Sequence, residues 1–403
     1  MFRVLGEKDL PQIGFVRSGH VLPWDISLVR EIRALGYDVF FISPLKETLS
    51  IPHRRAMGWR SFSAIDKMLR TGFVWYLNRL IKYNISDTFS KFFLPKKAFK
   101  DFEYLIFNDD IFSLPYQSIK SKINYGIVSW ENIPFHYYYE YERHLRKERQ
   151  IVFENAKHLF PVSEDAKMRL IEEKVSSEKI HKIHPGIDSS LFSPGSSTNT
   201  FGLPEDIIHN NTLIGSSRIV YSKGITYALR AIHVLKKRNV KVNYLVAGGM
   251  SSEFSDYCKR LANKLEISDR VFFLGRLKYD SLVDFYRLGD IFLFPSLPSF
   301  YWEEQMGYAL LEATSCGLPA IRSDSTSLDE VCPENLCKTV PAGHTEKMAN
   351  AIQLLIEDPQ LRLNLGKESR KYVKSNYNVL DQAKEYIHYY RESKDVYPYE
   401  LTS

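Results

Sequence analysis

Two cations and two carboxylates in the second half of this 403-residue sequence have the types and spacing needed to grip an anion and the hydroxyls beside it. Arg218 and Lys223 lie five residues apart in Gly215–Gly224 (GSSRIVYSKG), between an expected strand and an expected helix. A planar guanidinium and a compact ammonium on one such turn could face the same diphosphate; by themselves two such cations are more often what a solvated loop carries. Glu304 and Glu312, separated by seven residues, occupy EEQMGYALLEATSCG (Glu303–Gly317). A helix beginning near Gly307 would present a positive dipole end and unbonded amides to a phosphate, and Gly307 lets the backbone come close. Glu312, one or two turns into that helix, could accept from ribose hydroxyls, and Glu304 in the loop could reach a sugar. The plainer reading of two glutamates at this spacing is surface helix charge.

Other chemistries find little support. No Walker A pattern and no GxGxxG occurs, which disfavours a P-loop ATPase and a conventional dinucleotide dehydrogenase. Ser163 and Ser217 have no His and Asp in a triad-like context. The four cysteines, Cys258, Cys316, Cys332 and Cys337, form no CxxC pair, so neither a disulfide framework nor a zinc knuckle is expected, and a reducing cytoplasm fits them. Cys316 reads as a small buried helix residue. His181 and His184 fall in a strand-to-linker segment where alternation would separate them, so they read as structural.

The elements that must position these groups alternate between short apolar runs and amphipathic helices, the pattern of parallel βαβ units. The first series has a strand at Phe2–Leu5 or Gln12–Val16, a helix from about 26 to 35 stopped by Gly36, and strands at 39–43, 104–108, 125–130 and 158–162. Ser163, followed by Glu164 and Asp165, reads as a helix N-cap. His184–Ser196 (HPGIDSSLFSPGS) is rich in Pro, Gly and Ser and is read as the linker. The second series has strands at 211–216, 242–247, 271–274, 291–295 and 319–322, with helices at 225–237, 279–288 and 307–316. The expected fold class is α/β, with two Rossmann-like parallel-sheet domains, 1–195 and 196–377, facing across a cleft. A last helix within 378–395, with Ala383, Tyr386, Ile387 and Tyr390 at helical spacing, is expected to return to the first domain.

Composition is that of a folded protein, 44% hydrophobic and 25% charged, and no run of 18 apolar residues would span a membrane. Arg3, Glu7, Lys8 and Asp9 stand where a signal peptide would be apolar, so secretion is disfavoured. The net charge of +6 is concentrated: residues 51–100 hold eleven Lys and Arg against Asp66 and Asp87, interleaved with ten Trp, Tyr and Phe. That mixture suits a peripheral contact with an anionic membrane surface; a solvated basic face over core aromatics explains it as well. No nucleic-acid signature accompanies it, and no nucleic-acid partner is expected.

Taken together the segments resemble the retaining, nucleotide-sugar-dependent glycosyltransferases of the GT-B fold, family four. The resemblance runs over roughly residues 155–332, through Phe160–Glu164 (FPVSE), Lys179–Phe192, Ser217-Arg218, Lys223-Gly224, Gly248-Gly249, Leu274-Gly275 before an expected base-binding loop, Asp290–Ser296 (DIFLFPS), the Glu304/Glu312 pair and Ala313–Pro319. It implies transfer of a sugar from a nucleoside diphosphate to a glycan, lipid-linked or small-molecule acceptor with retention, without a metal or other cofactor. Arg218 and Lys223 would stabilise the leaving diphosphate, with Glu304 at the sugar. Donor contacts would come from Ser217, Gly248, Gly249 and Leu277, and from Gly307, Tyr308, Ala309 and Glu312. The sequence agrees on the metal in having no DxD triplet to hold Mg²⁺.

The N-terminal half departs from the family pattern. Its double-glycine turn after the first strand is missing, and Gly19 in Arg17–His20 is the nearest substitute, beside the reading of a plain turn. Where many members have a histidine pointing at the sugar, this chain has Glu131-Asn132 (SWENIPFH); Glu131 is the expected replacement, ahead of His136. Competing readings are a non-catalytic nucleotide-sugar or glycan-binding module, a disaccharide synthase, a nucleotide-sugar epimerase, and a membrane-surface scaffold.

Overall fold

The computed structural model describes residues 12–17, 22–42, 102–108, 115, 118–119, 122–131, 143–197, 201–208, 210–249, 252–299 and 302–395. Gly19, His136, the basic stretch 51–100 and the alternative first strand Phe2–Leu5 lie outside these residues. The chain divides into two compact units: Met1–Gly186 with Val379–Ser403, and Ile187–Asn378.

In the first unit β1 (Gln12–Val16), α1 (Pro23–Ala34), β2 (Asp38–Ile42), β3 (Tyr104–Phe107), β4 (Asn124–Ser129), α2 (Arg143–Asn155), β5 (His158–Pro161) and α3 (Glu164–Glu172) follow in order. The strands form one parallel sheet, β2-β1-β3-β4-β5. Strands 3 and 5 are buried along their whole length, which is why they read as unbroken apolar runs rather than alternating ones. Leu105, Phe107, Ile127, Val152 and Leu159 close the core on one face. Helix ends follow local chemistry. Pro23 opens α1 with its φ already helical, Gly36 leaves the helix at φ +90, and the Ser163 hydroxyl caps α3 by accepting from the Ala166 amide at 3.1 Å.

The second unit runs β6 (Thr212–Ser216), α4 (Ile225–Lys237), β7 (Asn243–Ala247), α5 (Ser252–Lys264), β8 (Val271–Gly275), α6 (Tyr279–Arg287), β9 (Ile291–Phe294), α7 (Tyr308–Ser315), β10 (Ala320–Ser323), α8 (Thr326–Val331), β11 (Lys338–Val340), α9 (Thr345–Glu357) and α10 (Pro359–Asn376). Its six strands are parallel in the order β11-β10-β9-β6-β7-β8. Successive strands run outward one way from β6 and then the other way from β9. The order therefore reverses between β6 and β9, the place where an open sheet leaves a crevice at its carboxyl edge.

The units part at Gly186, inside the Pro- and Gly-rich stretch. The rest of that stretch folds with the second unit: Phe192 packs edge-on against Tyr279, and the Arg287 guanidinium donates to the Ser193 carbonyl at 2.8 Å. The last helix, α11 (Val379–Asp395), belongs to the first unit and lies along α1. Ala383, Tyr386, Ile387 and Tyr390 are its buried stripe, and Tyr390 donates to Glu103 at 2.5 Å. No helix among the described residues is long and apolar enough to cross a membrane.

Candidate functional site

At the reversal point of the second sheet, Lys223 and Glu304 meet. Lys223 ends the single 3-10 turn Tyr221–Lys223 after β6, Glu304 lies in the loop after β9, and Nζ is 2.5 Å from Oε2. Their side chains are only 11% and 12% exposed. The Ser296 hydroxyl donates to the same carboxylate oxygen at 2.9 Å. The ammonium also lies 4.8 Å from the Trp302 ring centroid and 5.8 Å from that of Phe294, within cation–π range. The loop that carries Glu304 is pinned at several points. The Leu297 amide donates to the Ser222 carbonyl at 2.7 Å, Ser299 and Trp302 form a tight bridge, and the Ser325 hydroxyl donates to Glu303 at 2.6 Å.

Arg218 occupies the same strand-to-helix turn as Lys223, is exposed, and its guanidinium has no hydrogen bond or ion pair among the described residues. Its backbone is set by the glycine pair after β7. Gly248 sits at φ +155, and a Cβ there would lie 1.6 Å from the Ser217 carbonyl oxygen; only glycine permits that approach. The Ser217 amide then donates to the Ala247 carbonyl and the Ile219 amide to that of Gly249, each at 3.0 Å. Ser217, Arg218, Gly248 and Gly249 are thus one backbone-locked unit.

The second glutamate is placed differently from its partner. Helix α7 starts at Gly307, itself left-handed at φ +62, so Tyr308 and Ala309 open the helix as the sequence predicts. Glu312 points into the unit, 4% exposed, and its carboxylate accepts from the Tyr286 hydroxyl at 2.7 Å. Burial raises its pKa to about 7, against a smaller downward pull from that hydrogen bond. The Lys223–Glu304 pair and Glu312 are therefore two separate polar features, one partly exposed and one enclosed. Leu277, just past β8, is half-buried.

In the first unit Glu131 follows Trp130 at the carboxyl end of β4 and is half-buried. Beside it is a network that no sequence motif announces. Asp25, 2% exposed, takes both oxygens to Arg17 at 2.8 and 2.9 Å, accepts from the Leu22 amide at 2.8 Å and from Asn108 Nδ2 at 2.9 Å. Asn108 in turn accepts from Trp130 Nε1 at 2.8 Å. These residues follow β1, β3 and β4 at one sheet edge. One signal was available: Asp25 shares the i, i+3, i+4, i+7 face with Leu28, Val29 and Ile32, a carboxylate on an otherwise apolar stripe.

Residues 207–372 match the family model described as glycosyl transferases group 1. The D-inositol 3-phosphate glycosyltransferase of Mycolicibacterium smegmatis is 30% identical over 206 residues, covering 49% of this chain and 44% of that protein. Its namesake from Mycobacterium tuberculosis strain F11 is 28% identical over 233 residues, 55% of this chain and 44% of that protein. The matched stretch thus spans less than half the length of these relatives. Among solved structures, a glycosyltransferase from Rickettsia africae superposes with a TM-score of 0.69 at 18% identity, covering 96% of this chain and 100% of that one. Anabaena HepE in complex with UDP gives 0.70 at 14% identity, covering 95% and 100%. The fold is GT-B, and the chain resembles the glycosyltransferases that share it, as its motifs implied.

Proposed function

We propose that a chain whose residues 207–372 match the glycosyl transferases group 1 family is itself a glycosyltransferase, moving a sugar from a nucleoside diphosphate to a glycan, lipid-linked or small-molecule acceptor. The observation that carries the reading is the Lys223–Glu304 pair at the β6/β9 reversal point, with Arg218 exposed on the same turn and the start of α7 in the same unit. A departing diphosphate gathers negative charge as the glycosidic bond breaks. An ammonium, a guanidinium and a helix start set in advance around that position stabilise the charge where it develops, which is usually what lowers a reaction barrier most. Retention at the anomeric carbon and independence of metal belong to this proposal; the absence of a DxD triplet supports the latter. UDP and UDP-glucose are the ligands named for solved HepE complexes, which makes them the first donors to try. Glu131, at the sheet edge of the first unit, is proposed as the polar contact to the transferred sugar.

Melting curves recorded with UDP, GDP, ADP and their sugar conjugates test the donor half. A ligand at a hundred times its Kd adds about 2.7 kcal/mol to the stability of the state that binds it, so one nucleotide series is expected to raise Tm. No shift with any of them would remove the proposal. Release of nucleoside diphosphate that depends on added acceptor then separates a transferase from a binding module.

A further inference from the structure

We propose that Glu304 is a built-in competitor of the donor diphosphate, and that it makes the site hold a nucleotide sugar in preference to the nucleoside diphosphate left after transfer. The inference rests on the reading of Lys223 as a diphosphate grip. In this structure the face of Lys223 that an incoming phosphate needs is taken by the Glu304 carboxylate at 2.5 Å, in a setting where both side chains are nearly nine-tenths covered. Rings of Trp302 and Phe294 flank the ammonium, and the Ser296 hydroxyl holds the carboxylate oxygen in line.

Separating such a pair is costly unless both ends find new partners, because each charge has already left water. A nucleoside diphosphate offers a partner to one end alone. It satisfies Lys223 but leaves the Glu304 carboxylate with hydrogen bonds such as that from Ser296, beside a new negative charge. A nucleotide sugar satisfies both ends, since its phosphates take Lys223 and its sugar hydroxyls donate to the displaced carboxylate. Arg218, exposed and without a partner among the described residues, gives either ligand its first cation. Once the sugar has gone to the acceptor, Glu304 loses its hydroxyl donors and closes on Lys223 again, which expels the product. The same carboxylate thus serves selection on entry and release on exit.

The test is titration calorimetry on the full chain with UDP and UDP-glucose, repeated with the guanosine and adenosine pairs. Wild type, Glu304→Gln and Ser296→Ala are compared. Glu304→Gln keeps the shape and removes the competing charge. It is expected to bind the nucleoside diphosphate about tenfold more tightly, about 1.4 kcal/mol, while the nucleotide sugar gains nothing or weakens, so the preference between them collapses. Ser296→Ala, which loosens the carboxylate without removing it, is expected to shift the preference the same way by less, and it decides the matter should Glu304→Gln not fold. General damage to the site would weaken both ligands, so tighter product binding is a reading that a structural role does not produce. Unchanged or weaker diphosphate binding in a normally melting Glu304→Gln overturns the inference and leaves the functional reading standing. Wild type that binds no member of the three pairs overturns both.

Discussion

Lys223 and Arg218 share a turn but not an environment, and the difference sets what each substitution does. Lys223 is held by a carboxylate and two rings, whereas Arg218 is exposed. On the proposed function both cations serve the charge that develops in transfer, where one well-placed donor is worth about 3–4 kcal/mol. Arg218→Ala and Lys223→Ala are each expected to slow turnover about a hundredfold or more with the true donor; near-normal rates in both would dissolve the assignment. Lys223→Ala has a second effect, since it strands Glu304 without its counter-charge, and a lower Tm is expected for it but not for Arg218→Ala. Glu312 is a stability residue as well as a candidate contact. Its pKa, raised from 4.5 to about 7 by burial, means that the folded state keeps the proton longer than the unfolded one. Its contribution is therefore fully present below about 4.5 and is lost as pH rises through about 7. Glu312→Gln should melt with wild type at pH 4 and above it at pH 8, by roughly 2–4 °C for each kcal/mol recovered. Equal melting at both pH values would show that charging Glu312 costs the fold nothing.

Among the elements, those seen in the sequence were the ones with a strong period and clear punctuation. Strands β1–β10 each sit within a residue or two of the expected runs, because parallel strands covered on both faces cannot hide their apolar content, and even the half-buried β8 is a run of Val, Phe and Leu. Helices α2, α5, α8, α9 and α10 and strand β11 have no counterpart among the expected elements. Strand β11 has three residues, of which Lys338 and Thr339 are half-buried, too short and too polar to register. The Arg17–Asp25–Asn108–Trp130 network was hidden for another reason: its members are up to 113 residues apart in sequence and are joined only when β1, β3 and β4 pair. Likewise the spacing of Glu304 and Glu312 gave the pair but not its division into an ion-paired and an enclosed carboxylate. What hid that division was register: Leu310, Leu311 and Ala313 around Glu312 are all fully buried, and a short helix buried on nearly every side has no polar face to mark. The glycine turn after β7 is the element whose failure is easiest to foresee. Gly248→Ala places a methyl inside the Ser217 carbonyl, which must push Arg218 out of its setting. A drop in donor affinity of at least tenfold, accompanied by a lower Tm, is expected by calorimetry and melting. An alanine variant that binds donor normally would show that the Ser217–Gly248 contact does not set Arg218.

At the scale of the molecule, the first unit carries an acid-sensitive spot where its last helix docks. His158 is buried against His181, Phe160 and Tyr389, with Lys157 and His388 among the nearby charges and the Tyr389 backbone pulling its pKa the other way. Burial lowers its pKa from 6.5 to about 4, assisted by His181. A depressed histidine leaves stability intact above about 6.5 and withdraws it as pH falls toward 4, because the unfolded chain takes the proton first. Replacement His158→Phe should flatten the fall in Tm over that interval, and an unchanged slope would assign the acid response elsewhere. The order of the chain has a consequence of its own. The Ile187 amide donates to the Tyr377 carbonyl at 2.7 Å, and Ile187 bridges Asn378, so the second unit starts and finishes at adjacent points, set into a first unit that resumes with α11. During synthesis, then, the second unit has all its sequence while the first still waits for a final helix. Arrested nascent chains that have exposed residue 378 but not residue 395 should show the inner segment resisting protease and the outer one still being cut.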